Sequence, residues 1–293
     1  MNTKNIKTVI IILLIIANVF LISNITVLNL RLQNIPLDMI NNAADILKEH
    51  GIYADVKIIP VKKPVNYVYE GVFAEYGEIV KNFSGVLDEE SVKWHTTPEY
   101  IAFDAGEYRF KFEDYQQIEI VKTDYAGGAF ELFDGNDNLG SNETLMVESI
   151  IKNFLKKYSE QDIRTDFVIT ELKREDGSDK VIINQTADGF LIASYSAYVI
   201  INDGEVKYFS GRWYFGVFSG RYEMPLLDSV NILFKILEKD GSSLAGAKIE
   251  NMGKEYNLNH YETDKFYLSP SWLVIFDDER KVSYNMITGN KND

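Results

Sequence analysis

Three histidines, His50, His95 and His260, are the chain's only imidazoles. They stand far apart and none sits in H-E-x-x-H or another ligand spacing, so no zinc-ligand set is present. His50 falls at the end of a helical stretch, where the helix dipole favours a cation. The run Gly216-Val217-Phe218-Ser219-Gly220 has the composition of a nucleophile elbow, but its serine stands fourth where that motif needs it third, and it reads as a glycine-rich turn. Asp134, Asn136 and Asn138 match the first three ligand positions of a calcium loop. Leu139 and Leu145 then occupy the places of the required glycine and bidentate glutamate, which leaves a solvated turn. Acid pairs such as Asp114/Glu119 or Asp277/Asp278 could cleave glycosides in principle, yet a chain with 44 acidic residues makes such pairs by chance. No catalytic, cofactor-binding or metal-ligating residue is assigned, and the expectation is a protein that acts by binding.

A binding role directs attention to the densest aromatic run, Tyr208 to Phe218. Strand alternation would put Tyr208, Ser210, Arg212 and Tyr214 on one face and leave Phe209, Trp213 and Phe215 out of simple register. Two readings stay open: a core strand, or a partner-contacting surface carried by Tyr208, Arg212, Trp213 and Tyr214, since aromatic residues and arginine are enriched at protein interfaces.

These residues belong to a chain of 293 with 46% hydrophobic side chains and 6 prolines, the composition of a folded protein. Lys4, Lys7 and Arg31 are the only charges in residues 1 to 37, so the remainder holds 27 basic against 44 acidic groups. A body at −17 with no Lys/Arg cluster repels phosphate backbones and argues against nucleic-acid binding. The absence of cysteine removes disulfides, thiolate metal sites and cysteine nucleophiles.

Between Lys7 and Arg31 lie 23 uncharged residues with a dense apolar core from Val9 to Leu21. About 20 residues of helix cross the hydrocarbon of a bilayer. No A-x-A-like site follows the apolar run, so residues 8–30 are expected to be an uncleaved transmembrane anchor, with 1–7 as a cytoplasmic stub. Lys4 and Lys7 place the N-terminus inside by the positive-inside bias, and the acidic body outside. Ile11, Ile15, Asn18, Ile22, Ile25 and Asn29 are spaced four, three, four, three, four, one stripe of a helix with an amide near its middle. The stripe is either a helix-pairing face or a single tolerated asparagine in a Leu/Ile-rich span.

The rest reads as an α+β ectodomain of antiparallel sheets with packed helices. Residues 31–140 form a membrane-proximal domain: an amphipathic helix from Leu37 to His50 closed by Gly51, a strand from Ile52 to Pro60, then period-2 alternation from Tyr67 to Phe133. Two repeated α-β modules follow, 141–222 and 223–293. Each opens with a helix, Glu143 to Tyr158 or Leu226 to Lys239. Each contains an acidic-turn hairpin, Tyr198 to Tyr208 around Asp203-Gly204 or Trp272 to Tyr284 around Asp277-Asp278. Pro270 marks a strand start and Trp272 supplies core area.

Two stretches resemble the YycI-like regulatory proteins and their YycH relatives. The opening is Ile6-Lys7-Thr8 running into the span, then Ala44-Asp45-Ile46-Leu47-Lys48-Glu49-His50-Gly51-Ile52 and Ile58-Ile59-Pro60. The closing is Tyr267-Leu268-Ser269-Pro270-Ser271-Trp272-Leu273-Val274 with Val282-Ser283-Tyr284-Asn285-Met286-Ile287-Thr288-Gly289. Together they cover roughly 75 residues. The family often has an acidic residue and a Trp before the span, where Asn2-Thr3 stands here, and a basic residue after the closing Trp, where Leu273 stands. The resemblance implies a membrane-anchored, non-enzymatic regulator of the WalK sensor histidine kinase, with that kinase and a YycH-like protein as partners. An anchored binding or inhibitory module acting on cell-wall or secreted proteins is the other expectation.

Overall fold

The computed structural model describes residues 15, 18–21, 33–64, 66–84, 93–97, 100–113, 117–125, 141–156, 166–175, 177–260 and 265–292. Ile15 and residues 18–21 are helical and exposed; Ile11, Ile22, Ile25 and Asn29 of the stripe lie outside the described residues, as do most of the expected anchor and the Asp134 loop. Among the described residues no helix is long and apolar enough to cross a membrane. The fold class is α+β, as expected, with many strands and few helices. The chain divides into two compact units, Met1–Asn66 with Pro225–Gly253 and Trp272–Asp293, and Tyr67–Met224 with Lys254–Ser271.

The first unit is built on α1 (Leu37–Glu49) and α4 (Ser229–Asp240). Ile40, Ala43, Ala44 and Leu47 of α1 are buried at the expected helical spacing, whereas Leu37 is exposed. Gly51 ends the helix with φ +79, a left-handed conformation that glycine adopts without a Cβ clash, and Ile52 N–H closes back on Leu47 O at 2.9 Å. The expected strand after it shortens to β1 (Tyr53–Ala54), which runs parallel to the start of β12 (Lys248–His260). The rest of that stretch is a 3-10 turn at Val56–Ile58 instead, because Asp55 accepts from Lys57 N–H at 2.9 Å and offers the backbone a turn. Asp228 caps α4 by accepting from Asn231 N–H at 2.9 Å. Between the helices, Val230, Leu233 and Ile236 share a core with Leu47, Ile52, Ile59, Trp272, Val274, Tyr284 and Met286.

In the second unit, β2 (Tyr67–Phe73) is followed by a helix, α2 (Tyr76–Ser84), inside the stretch expected to be all strand. Glu75 O accepts from both Glu78 and Ile79 N–H to open it, and Ile79 is buried on its inner side. An antiparallel meander follows: β3 (Lys93–Thr96), β4 (Ile101–Ala105), β5 (Tyr108–Phe112) and β6 (Gln117–Lys122). Tyr108, Phe110 and Phe112 point inward and Arg109 outward, as the alternation predicts. After α3 (Ser141–Lys156) come β7 (Asp166–Glu175), β8 (Ser178–Ala187), β9 (Phe190–Asn202) and β10 (Glu205–Arg212), each antiparallel to the next. Asp203 and Gly204 join β9 to β10 with φ +51 and +75, the two-residue left-handed turn its sequence calls for. Ser194 at φ +63 breaks β9, and ahead of that break Leu191 and Ile192 pair in parallel with Glu255 and Tyr256 of β12. β11 (Gly216–Glu223) pairs with β2, which pairs in turn with Lys265–Leu268 of β13 (Lys265–Phe276).

These contacts redraw the expected boundaries. Residues 31–140 are not one body: α1 and β1 fill the core of the C-terminal segments, while Phe103, Phe110, Phe112, Ile118 and Ile120 share a core with Val147, Ile151 and Phe154 of α3. The cause is hydrophobic closure, since each part of that stretch completes its core with residues from beyond 140. For the same reason 223–293, which ends in β14 (Lys281–Asn285), is not self-contained: α4 and the strands after it need α1 to complete their core.

Candidate functional site

The segment Tyr208 to Phe218 is neither wholly strand nor wholly surface. Tyr208 and Arg212 lie on β10, whose register with β6 sets Tyr208 opposite Val121 and Arg212 opposite Gln117. The Tyr208 hydroxyl donates to Glu119 Oε1 at 2.9 Å, and its half-buried ring lies 6.1 Å from Tyr198 and 6.2 Å from Tyr125. Burial is the main reason its phenol is held above the usual range. Arg212 is exposed, with its guanidinium 5.9 Å from the centre of the Tyr195 ring.

Trp213 and Tyr214 correct the surface expectation. Both are buried, at 0% and 2% exposure. Past Arg212 the chain leaves the ladder, and residues 213–215 connect β10 to β11 without strand pairing of their own. Gln185 substitutes for the missing ladder: its amide donates to Tyr214 O and accepts from Tyr214 N–H, both at 2.8 Å. With the backbone clamped, Trp213 packs edge-on against Phe209 at 5.5 Å, while Tyr214 turns into a second aromatic cluster against Phe266 at 4.5 Å and Phe73 at 5.5 Å. Period-2 reasoning could not place these side chains because the segment is not a strand. The alternating glutamine-to-backbone clamp comes from a residue 29 positions away and leaves no local signal.

That second cluster gathers Tyr69, Tyr195, Tyr214, Tyr256 and Phe266 around Ile192 and Leu268. Tyr69 OH donates to Asp188, in the left-handed turn that joins β8 to β9. Burial comes first, and the Asp188 carboxylate second, among the causes that raise the Tyr69 phenol above its usual value. Burial likewise raises Tyr214. These groups are held neutral and serve packing.

The remaining motifs have structural work. Ser219 lies on β11 at a bulge between Phe218 and Gly220, with its hydroxyl toward Glu70 O at 3.4 Å. Asp277 Oδ1 accepts from Lys248 N–H at 3.0 Å, and Asp278 pairs with Arg280 in the same turn. Glu119 receives the Tyr208 hydroxyl; its supposed mate Asp114 lies outside the described residues. His50 is exposed at the end of α1. Among the described residues no group of three or more His, Asp or Glu could hold a metal ion. A recess of about 230 Å³ lies beside Met146 and Ile150 of α3, but its arginine, Arg174, is already held by Asp179 at 2.6 Å and Glu143 at 2.9 Å. Among the described residues no set of free polar groups converges there.

No model of a known protein family matches the chain, and no curated protein matches it in sequence. Among solved structures, it is similar to an uncharacterised protein from Eubacterium rectale at 11% identity and a TM-score of 0.46, over 86% of this chain and 98% of that one. The C-terminal domain of Bacillus megaterium YpeB matches at 11% identity and 0.32, over 76% of this chain and 97% of that one. Bacillus subtilis YycH matches at 12% and 0.38, over 76% of this chain and 53% of YycH, about half of its length. At such scores no residue of those proteins maps onto a residue here.

Proposed function

We infer that this chain is a single-pass membrane protein, N-terminus in the cytoplasm, whose extracytoplasmic body binds and modulates a two-component sensor histidine kinase of the WalK kind. It does so as a non-enzymatic partner, together with a YycH-like protein, and residues 8–30 sit in the bilayer. One observation carries the reading. The two stretches that resemble the YycI-like family, some 200 residues apart in sequence, supply one core: Ala44, Leu47, Ile52 and Ile59 from the opening, and Trp272, Val274, Tyr284 and Met286 from the closing. Each stretch also bonds to the same intervening segment. Trp272 Nε1 donates to Leu227 O at 3.0 Å, and Pro60 O accepts from Ser229 Oγ at 2.7 Å. Tyr267 to Ser271 of the closing stretch belong to the second unit; its remainder, from Trp272 on, shares the first unit with the described residues of the opening.

Two measurements test the reading. A reporter active only outside the cytoplasm, fused after Asp293, is expected to work, and activity from a cytoplasmic-type reporter alone would reverse the topology. A crosslinking or two-hybrid signal between the span and a co-expressed kinase is expected to fall in Asn18→Leu, which removes an amide worth ~0.6–2 kcal/mol to helix pairing. An Asn18→Leu/Val19→Asn double variant is not expected to restore it, because one residue turns the amide by about 100°. Equal signal in all three at equal expression moves the contact to the ectodomain; no signal from the wild type with any sensor kinase overturns the proposal.

A further inference from the structure

β11 ends the sheet of the second unit: it pairs with β2 on one side, and among the described residues nothing pairs with its other side. An open edge presents a row of backbone donors and acceptors that natural proteins cover, shorten or blunt. Here the last part of the edge is decorated with the residue types enriched in protein interfaces. Tyr222 is 47% exposed and Met224 43%, and Tyr267 of β13, across the intervening β2, is 36% exposed. Arg221 and Glu223 are exposed as well. Neither makes an ion pair among the described residues; Arg221 lies over the Tyr67 ring, 3.3 Å from its centre, and Glu223 faces Tyr67 across the ladder.

We propose that this edge joins a second copy of the same chain, strand to strand and antiparallel, about a two-fold axis at Tyr222. In that register Arg221 of each copy stands opposite Glu223 of the other, so two ion pairs form from four groups that make no ion pair among the described residues of one chain. Tyr222 meets its own counterpart on the axis, and Gly220, with no side chain, faces Met224. Directly opposed residues share a sheet face and couple most strongly, with aromatic and opposite-charge pairs favourable and like charges unfavourable. The neighbouring two-fold registers are disfavoured for that reason: an axis at Arg221 sets arginine against arginine, and one at Glu223 sets glutamate against glutamate. The ladder is short. Pro225 has no N–H to extend it at one end, and the bulge at Ser219 interrupts it at the other.

The test uses the full chain in detergent and exploits the absence of cysteine, so that any disulfide reports an introduced thiol. Tyr222→Cys is expected to oxidise to a covalent dimer, and so is the Arg221→Cys/Glu223→Cys double variant. Arg221→Cys alone and Glu223→Cys alone are expected to stay monomeric under the same conditions. In parallel, sedimentation of charge variants reads the ion pairs. Arg221→Glu and Glu223→Arg are each expected to weaken self-association roughly tenfold or more, and the combined reversal to restore it. Recovery in the double variant also shows that the singles fold. Crosslinking of all four cysteine variants alike would mean random collision and overturn the proposal. So would a chain monomeric at every concentration, or a dimer indifferent to charge, which would place self-association elsewhere, including the membrane span.

Discussion

Single side chains in this molecule differ in what their burial demands, and the two buried tryptophans make the contrast. Trp272 donates to Leu227 O at 3.0 Å, whereas the Trp213 indole N–H is buried with no acceptor among the described residues. Trp272→Phe loses volume and strands a carbonyl, for about 2–4 kcal/mol in urea unfolding, and Trp213→Phe, which removes an unmet donor along with its volume, costs less. A second residue-scale prediction concerns alkali. Tyr69, Tyr198, Tyr214 and Tyr284 are all raised above the ordinary phenol value, burial being the first cause in each, with Asp240 next for Tyr284. A raised folded value means that the folded state holds its proton more tightly than the unfolded one. Their stabilisation is therefore complete below the unfolded value of about 10 and is lost as pH rises beyond it. Ultraviolet absorbance during an alkaline titration is expected to show the exposed tyrosines ionising first and the buried group ionising together with loss of near-ultraviolet circular dichroism; smooth ionisation of all 18 before any unfolding would contradict this.

At the scale of elements, two positive-φ glycines of one hairpin differ in what surrounds them, Gly211 at φ +151 adding steric contact to the backbone penalty. Gly204 sits at φ +75 with open space around it, so Gly204→Ala costs only the left-handed penalty, about 1–2 kcal/mol. At Gly211 an added Cβ would overlap the backbone of Ser196 and Ala197 on β9, so Gly211→Ala must push two paired strands apart and is expected to destabilise more. Thermal melts of the two variants check the order. Elements with a strong local code were legible in sequence: α1 from its apolar spacing and terminal glycine, β5 from strict alternation, and the β9–β10 turn from Asp203-Gly204. Others were not. α2 is short and sits within a strand-like stretch, β1 gives way to a turn held by the Asp55 side chain, and the 213–215 connection takes its conformation from Gln185. Of the expected partner surface, Arg212 is exposed, Tyr208 is half-covered, and Trp213 and Tyr214 are inside, since a distant amide decides where they point.

For the whole molecule, the discontinuous first unit has a mechanical corollary. Ile40, Ala43 and Leu47 pack with Val230, Leu233 and Ile236, so neither α1 nor α4 buries its apolar side without the other. A chain that begins at residue 67 is therefore expected to lose the cooperative transition reported by Trp272 fluorescence while keeping that of Trp213, whose core draws on residues 79 to 215. Single-tryptophan variants distinguish the two signals. Simultaneous loss of both would show that the second unit depends on the first for its folding.

The arrangement of that unit also sets an order of events during synthesis. α1 is made well before the groups that cover it, which arrive with α4 and with Trp272, Val274 and Met286. Long-range closure of this kind lags behind the local pairing of hairpins such as β9–β10, which can zip as soon as both strands exist. The nascent protein therefore carries an amphipathic helix whose apolar stripe is not fully covered until Met286 has been made. Any chain cut short before Ser229 lacks all of those groups and leaves that stripe permanently bare, which makes α1 a built-in signal of an unfinished molecule to whatever binds exposed apolar surface.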